Sequence, residues 1–375
     1  MVGKGNQKDP SSIKTNLLYC SMQLANLKPI WFSLISSYCL LLVGCQKSSG
    51  KDSGEPEFET KTEPTWSIIE SLDTDGAWLR AHVPSDNPET VWIVGGQPEQ
   101  GAIKIGNAEV GFEILDLPEG TPLLNWADGT STNMWVGGLN GSILHWDGSE
   151  WFDYSLVVEE AIWGLVVTDN GQTVIAVGGS SRWGGEEAIA FGRQNDDWTP
   201  LVLPEELSGL SNLFKVDFDG EKYWMVGTSG ALIYGDIEEL SPVPTGLTQD
   251  LITVLASENL LNGSDVQIVG GRGTGIYVTG QNGTLSSPSQ LIAGINGIAT
   301  DTMGNSLLVG EMGYGQLRDT NDDTIIEPLP VTTHILHAAA VHNLNGKQYW
   351  YAVGGNLATA ESTFEGSILT MEWSP

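Results

Sequence analysis

An apolar run ending in Val-Gly recurs seven times along the chain: Trp92-Ile-Val-Gly95, Met134-Trp-Val-Gly137, Ile175-Ala-Val-Gly178, Trp224-Met-Val-Gly227, Gln267-Ile-Val-Gly270, Leu307-Leu-Val-Gly310 and Tyr351-Ala-Val-Gly354. Successive glycines lie 42, 41, 49, 43, 40 and 44 residues apart. Such a period fits one four-stranded antiparallel unit per repeat, and units of that kind pack radially because none can bury its apolar faces alone. The expected fold is all-β, a seven-bladed propeller. A chain of 375 residues is also longer than one continuous core normally fills, so an array of small cores is the consistent solution.

Within a repeat the turns can be read directly. Leu123 to Trp126 is an inner strand, Met134 to Gly138 the second, Ser142 to Trp146 the third and Trp151 to Leu156 the fourth, separated by Asp128-Gly129, Asn140-Gly141 and Asp147-Gly148. Inner strands recur at Trp78 to Val83, Ile162 to Thr168, Leu213 to Phe218, Ile252 to Ala256, Ile295 to Thr300 and Ile335 to Val341. The Val-Gly phrase itself reads as scaffold, repeated because each blade needs the same turn. The last repeat has no fourth strand after Trp373, while Trp66 to Leu72 is a spare strand at the other end. Pairing the two completes the last blade and removes an exposed edge. The propeller is therefore expected to span residues 65–375.

Ahead of it, residues 29–44 (PIWFSLISSYCLLLVG) are too short for a comfortable membrane span and suit the apolar core of a signal peptide. Leu42-Val-Gly-Cys45 resembles the bacterial lipobox. The resemblance implies a signal peptide over 1–44, diacylglycerol and palmitate on Cys45, and, since Gln46 and not Asp follows, an outer-membrane lipoprotein of a Gram-negative cell envelope. Cys20 and Cys39 lie upstream, leaving Cys45 the sole cysteine of the mature chain. The leader is long, and Met22 followed by Lys28 makes a more ordinary start. Residues 45–64 carry Ser, Gly, Lys, Glu and Pro with one aromatic, a composition that reads as a flexible tether reaching about 25 Å.

The net charge of −31 disfavours nucleic acid and anionic lipid as partners, so contact with a membrane is expected through the lipid alone. No phosphate loop, nucleophile elbow or redox cysteine pair is present. The stretch VGGLNGSILHWDGSEW (136–151) resembles BNR or Asp-box repeats and propellers similar to photosystem II assembly factors, which implies a non-catalytic module. The box is degenerate, since Asp147 is followed at once by Gly148, and Trp146-Asp147 matches the WD dipeptide only once. Sialidase chemistry, the enzymatic option among Asp-box proteins, needs an arginine triad; the mature chain has five arginines and no Phe-Arg-Ile-Pro motif.

Two metal readings arise. Asp319, Asn321, Asp323 and Glu327 offer oxygens at alternate positions and resemble the calcium loop of integrin-type propellers, although Thr324 replaces the usual glycine. His82 and His342 form a candidate pair across the ring closure; His334 and His342 stand about 26 Å apart along an extended strand and share no ion. For a ligand, the loops between second and third strands gather on one face, where Arg182, Trp183, Arg272 and Tyr314 are the cationic and aromatic candidates. The functional expectation is a lipid-anchored module that binds an envelope protein or glycan without catalysis and without a cofactor. A glycan hydrolase or lyase using channel carboxylates, and a calcium-stabilised structural ring, are the alternatives. Oligomeric state is open.

Overall fold

The computed structural model describes residues 66–181, 184–194, 196–256, 266–270, 275–279, 285–290, 294–318, 324–326, 332–357 and 363–373. These form seven four-stranded antiparallel sheets, six of them consecutive in sequence. The first comprises Ala77–His82, Val91–Gln97, Gln100–Asn107 and Gly111–Leu115. The second has Leu124–Thr130, Asn133–Gly138, Ile143–Trp146 and Trp151–Asp153, and the third Ala161–Thr168, Thr173–Gly179, Ile189–Gln194 and Asp197–Pro200. The fourth has Leu213–Phe218, Tyr223–Gly227, Leu232–Gly235 and Leu240–Pro242, the fifth Leu251–Ala256, Val266–Gly270, Gly275–Thr279 and Leu285–Gln290. The sixth has Ile295–Thr300, Ser306–Gly310, Gly315–Arg318 and Thr324–Ile326. The first strand of each sheet packs against the first strand of the next, and the last of them, Ile335–Leu344, packs against Ala77–His82, so the inner strands close a ring.

The seventh sheet joins the two ends of the chain. Ile335–Leu344, Lys347–Asn356 and Glu365–Glu372 follow one another, and the fourth place is taken by Trp66–Asp73, which pairs with Glu365–Glu372 from Trp66 opposite Met371 to Asp73 opposite Gly366. Contacts between the seventh and first sheets add to this closure. Gln97 mimics a strand, its amide donating to the Phe364 carbonyl and accepting from the Phe364 amide at 2.9 Å each. Tyr349 donates to Glu109 at 2.9 Å, and the Tyr351 hydroxyl accepts from the Ala108 amide at 2.8 Å.

The core is divided into apolar layers between neighbouring sheets. Trp92, Val94 and Ile103 meet Met134, Val136 and Leu144 between the first and second sheets; Val177 and Ile175 meet Met225 and Ile233 between the third and fourth. Burying one such side chain contributes about 1.5 to 3 kcal/mol, so every layer depends on both of its sheets. The Asn140–Gly141 and Asn345–Gly346 pairs hold positive φ at both residues, as type I′ turns require. Asp147, Asp219 and Asp236 each accept backbone amides two and three residues on, so the acidic turn of the degenerate Asp-box is a loop cap. Trp151 and Trp198, which follow such turns, donate their indole N–H to carbonyls of Asp116 and Tyr154 in the preceding repeat.

The Val-Gly glycine has a different task from the turn-forming one expected of it. Its backbone is not in the left-handed region; it is needed because the carbonyl at the start of the inner strand presses on its Cα. A Cβ at Gly95 would overlap Ala77 O, at Gly178 Ala161 O and at Gly354 Ile335 O. In the second sheet the glycine so placed is Gly138, over Leu123 O, because Leu124 pairs with Gly138; Gly137 pairs with Trp126. The repeat phrase there is displaced by one residue from its structural role.

Candidate functional site

The close approach at the glycine is one side of a β-bulge, and every inner strand carries that bulge at the same place. Two residues of the inner strand oppose one of the second strand: Trp78 pairs with Gly95 and Arg80 with Val94, leaving Leu79 without a ladder partner. The residues so expelled are Leu79, Asn125, Trp163, Phe214, Ile252, Asn296 and His337. A bulge re-aims a side chain, and here it turns one residue from each sheet toward the axis. Those seven residues, with Lys215 and Leu357, line a cavity of about 190 Å³.

Next along the strands, cations from two inner strands meet over an aromatic ring from a third. Arg80 lies over the Trp126 ring with its guanidinium carbon 3.9 Å from the centroid, and Lys215 Nζ stands 3.7 Å from the same centroid. Arg80 Nε donates to the Ala127 carbonyl at 3.3 Å, and Lys215 Nζ to the Trp163 carbonyl at 3.3 Å. Burial, reinforced by the Arg80 charge, pushes the Lys215 ammonium well below its ordinary pKa.

Two residues further along, His82, Asp128 and Asp217 each reach the following inner strand. His82 Nε2 hydrogen-bonds Gly129 O at 2.8 Å, Asp128 Oδ2 accepts from the Val167 amide at 2.7 Å, and Asp217 Oδ2 accepts from the Ala256 amide at 2.7 Å. Asp217 Oδ1 also accepts from the Phe218 amide, and Asp128 Oδ1 faces His82 Nδ1 at 3.6 Å. Burial raises the Asp217 carboxyl to about 7, with the nearby Asp128 charge adding to it, against the backbone amides that favour the ionised form. All four carboxylate oxygens thus face groups of the protein already, an arrangement suited to fastening neighbouring strands. A second cleft of about 510 Å³ at the rim of the first sheet is lined by Asp75, Glu99, Asp116 and Glu119 among others. Among the described residues no group of three or more His, Cys, Asp or Glu side chains is placed to hold a metal ion.

Of the side chains singled out from sequence, Tyr314 is half-buried beside Ile295, Ile298 and Leu308 and donates to Gln316 Oε1 at 2.7 Å. Arg182, Trp183, Arg272, the acidic stretch Asp319, Asn321, Asp323 and Glu327, and Cys45 lie outside the described residues. His82 and His342 are not brought together as a metal pair: His82 turns to Gly129 and Asp128, while His342 is buried edge-on between Tyr349 and Tyr351, ring centroids 5.7 and 5.3 Å away. Arg80, Lys215 and Asp217 escaped sequence reading. The signal for them is polar residues at the third and fifth positions of otherwise apolar inner strands, as in Leu213-Phe-Lys-Val-Asp217.

His342 yields a measurable consequence. Among the described residues no group bonds either ring nitrogen, and burial pushes its pKa from 6.5 to about 4. Between those values the unfolded chain binds the extra proton, so the stability carried by the neutral ring is complete above pH 6.5 and is lost as pH falls toward 4. Replacement His342→Phe, which keeps a ring against both tyrosines, is expected to flatten the fall in urea-unfolding stability between pH 6.5 and 4 by about 3 kcal/mol. A wild-type slope in the variant would show that His342 is not the titrating group.

No protein family and no curated protein matches the chain. Among solved structures it is similar to the WD40 β-propeller domain of Doa1, with a TM-score of 0.57 and 12% identity over 83% of this chain and 97% of that one. It is also similar to the β-propeller domain of Myceliophteria thermophila Cps50 (Swd1), with a TM-score of 0.58 and 10% identity over 81% of this chain and 99% of that one. The fold is a β-propeller. At such identity the likeness concerns architecture alone, and the chain has a single Trp-Asp dipeptide.

Proposed function

We propose that the protein is a protein-binding scaffold built on a seven-bladed propeller, held at the outer membrane of a Gram-negative envelope by a lipid on Cys45. The observation that carries the binding part is the placement of exposed apolar side chains. Val157, Val202 and Met312 are 104%, 86% and 77% exposed, and all three lie in loops on the face where the inner strands begin. Loops on a rigid frame are where recognition residues normally sit, and single apolar anchors there suit a protein partner. The channel carboxylates, by contrast, are occupied by backbone amides and the His82 ring, which speaks for a ring used through its surface and against a glycan hydrolase. Arg182, Trp183 and Arg272, with Tyr314, belong to the same binding reading, and calcium at Asp319, Asn321, Asp323 and Glu327 remains a proposal of sequence.

Affinity capture from envelope extracts tests the face. A Val157→Glu, Met312→Glu variant is expected to lose the partner recovered with wild type, while Val110→Glu on the opposite face retains it. Equal recovery by both variants would remove this face from consideration. Cys45→Ala in the same cells is expected to abolish lipid labelling and to move the protein from the membrane to the soluble fraction.

A further inference from the structure

The channel mouth combines features that scaffold binding leaves unused. Its wall is mainly apolar, with Leu79, Trp163, Phe214, Ile252 and Leu357, yet Lys215 enters it. Among the described residues neither Lys215 nor Arg80 forms an ion pair, and the Lys215 ammonium has only a carbonyl and the Trp126 face as partners. Two acceptor atoms of wall residues, Asn125 Oδ1 and His337 Nε2, are buried without a partner among the described residues. His337 stays neutral because burial and the Lys215 charge hold it near 4.

A half-buried cation without a counter-ion is costly unless something of opposite sign shares its site. The nearby carboxylates do little for Lys215: Asp128 faces His82, and the Asp217 carboxyl is itself shifted toward its neutral form. Asp128 and Asp217 act on Arg80, so an anion in the cavity would compensate Lys215 above all. The rest of the ligand has to satisfy the aromatic and aliphatic wall. A cavity of about 150 Å³ accommodates benzene, so 190 Å³ sets the scale of a single substituted ring.

We propose that the channel mouth is a binding site for a small organic carboxylate with an apolar body of about benzoate size, its charge received by Lys215 with Arg80 behind it and its body held among Trp163, Phe214, Ile252 and Leu357. The site rests on the channel alone and is independent of the exposed loops of the partner-binding face.

Isothermal titration of the full chain with sodium benzoate, benzyl alcohol, benzamidine and acetate tests this directly. Benzoate is expected to bind at least tenfold more tightly than benzyl alcohol and than acetate, and benzamidine, a cation of the same shape, not at all. Lys215→Met is expected to bring benzoate down to the affinity of benzyl alcohol while leaving benzyl alcohol unchanged, which also shows the cavity intact. Ile252→Trp, which fills the cavity, is expected to abolish both, and with the wild-type series it decides the matter should Lys215→Met fold poorly. No benzoate binding by wild type, equal binding of benzoate and benzyl alcohol, or full benzoate affinity in either variant would overturn the proposal. Partner capture through the Val157 and Met312 face is expected to be the same in Lys215→Met and wild type, so failure of one reading does not disguise failure of the other.

Discussion

Removal of residues 65–72 is expected to lower the melting temperature by about 10 °C and to make the protein aggregate at concentrations where wild type remains monodisperse. The segment supplies nearly all of the outer strand of the seventh sheet, and without it Glu365–Glu372 becomes an edge with a row of unpaired amides and carbonyls. Six residue pairs hold the strand in register and the Trp66 ring packs on the layer containing Leu369 and Met371. Net hydrogen-bond contributions of about 1 kcal/mol and loss of the indole contact make a total of about 4 kcal/mol reasonable, and a domain of this size moves by roughly 2 to 4 °C per kcal/mol. Differential scanning calorimetry with light scattering reads both effects. An unchanged melting curve would mean that inner-strand packing and the Gln97–Phe364, Tyr349–Glu109 and Tyr351–Ala108 contacts close the ring without this strand.

The second large effect is expected at a single atom. Gly95→Ala places a methyl group into the Ala77 carbonyl oxygen, with the Ala77 and Trp78 backbone behind it, so relief requires the inner strand to move. Overpacking against backbone costs about 3 kcal/mol or more, and the inner strand here is also the wall of the channel. Gly111→Ala is the matched control: its φ of +84° strains an alanine but a Cβ there meets nothing within 4 Å, giving a cost of about 1 kcal/mol. Urea unfolding of the two variants is expected to separate them by at least about 2 kcal/mol. Equal destabilisation would show that conformation and not close approach explains the recurrence of Val-Gly.

That contrast explains what could be read from the chain and what could not. The position of each sheet was legible because the close approach at the inner strand tolerates only glycine, and a backbone demand of that kind leaves the same letter at every repeat. The one misplacement, Gly137 for Gly138, arose where two glycines stand together and only the pairing of Leu124 decides between them. The spare strand at Trp66 was legible because edge strands are counted, not inferred from chemistry. The channel was not legible. Strict alternation along Leu213 to Phe218 assigns Lys215 and Asp217 to one face and Phe214 to the other, but the bulge after Leu213 breaks that alternation and brings Phe214 and Lys215 to the same cavity. Loop cations and aromatics stand out in a sequence, whereas the half-buried residues at the channel owe their placement to register.

The bulges have a further consequence for how such a protein diversifies. Each inner strand donates one side chain to the channel mouth from a position that makes no ladder pair, so exchanging that residue removes no ladder bond, although Asn125, Trp163 and Asn296 also donate hydrogen bonds from their side chains. The mouth is in effect a palette of separately replaceable tiles set in a fixed frame. Its present tiles, three polar and four apolar with a lysine beside them, are one composition among the many that the same backbone would hold. Selectivity for new small molecules is accessible here by substitutions at one strand at a time, while the Val-Gly phrases, the turns and the closing strand stay as they are.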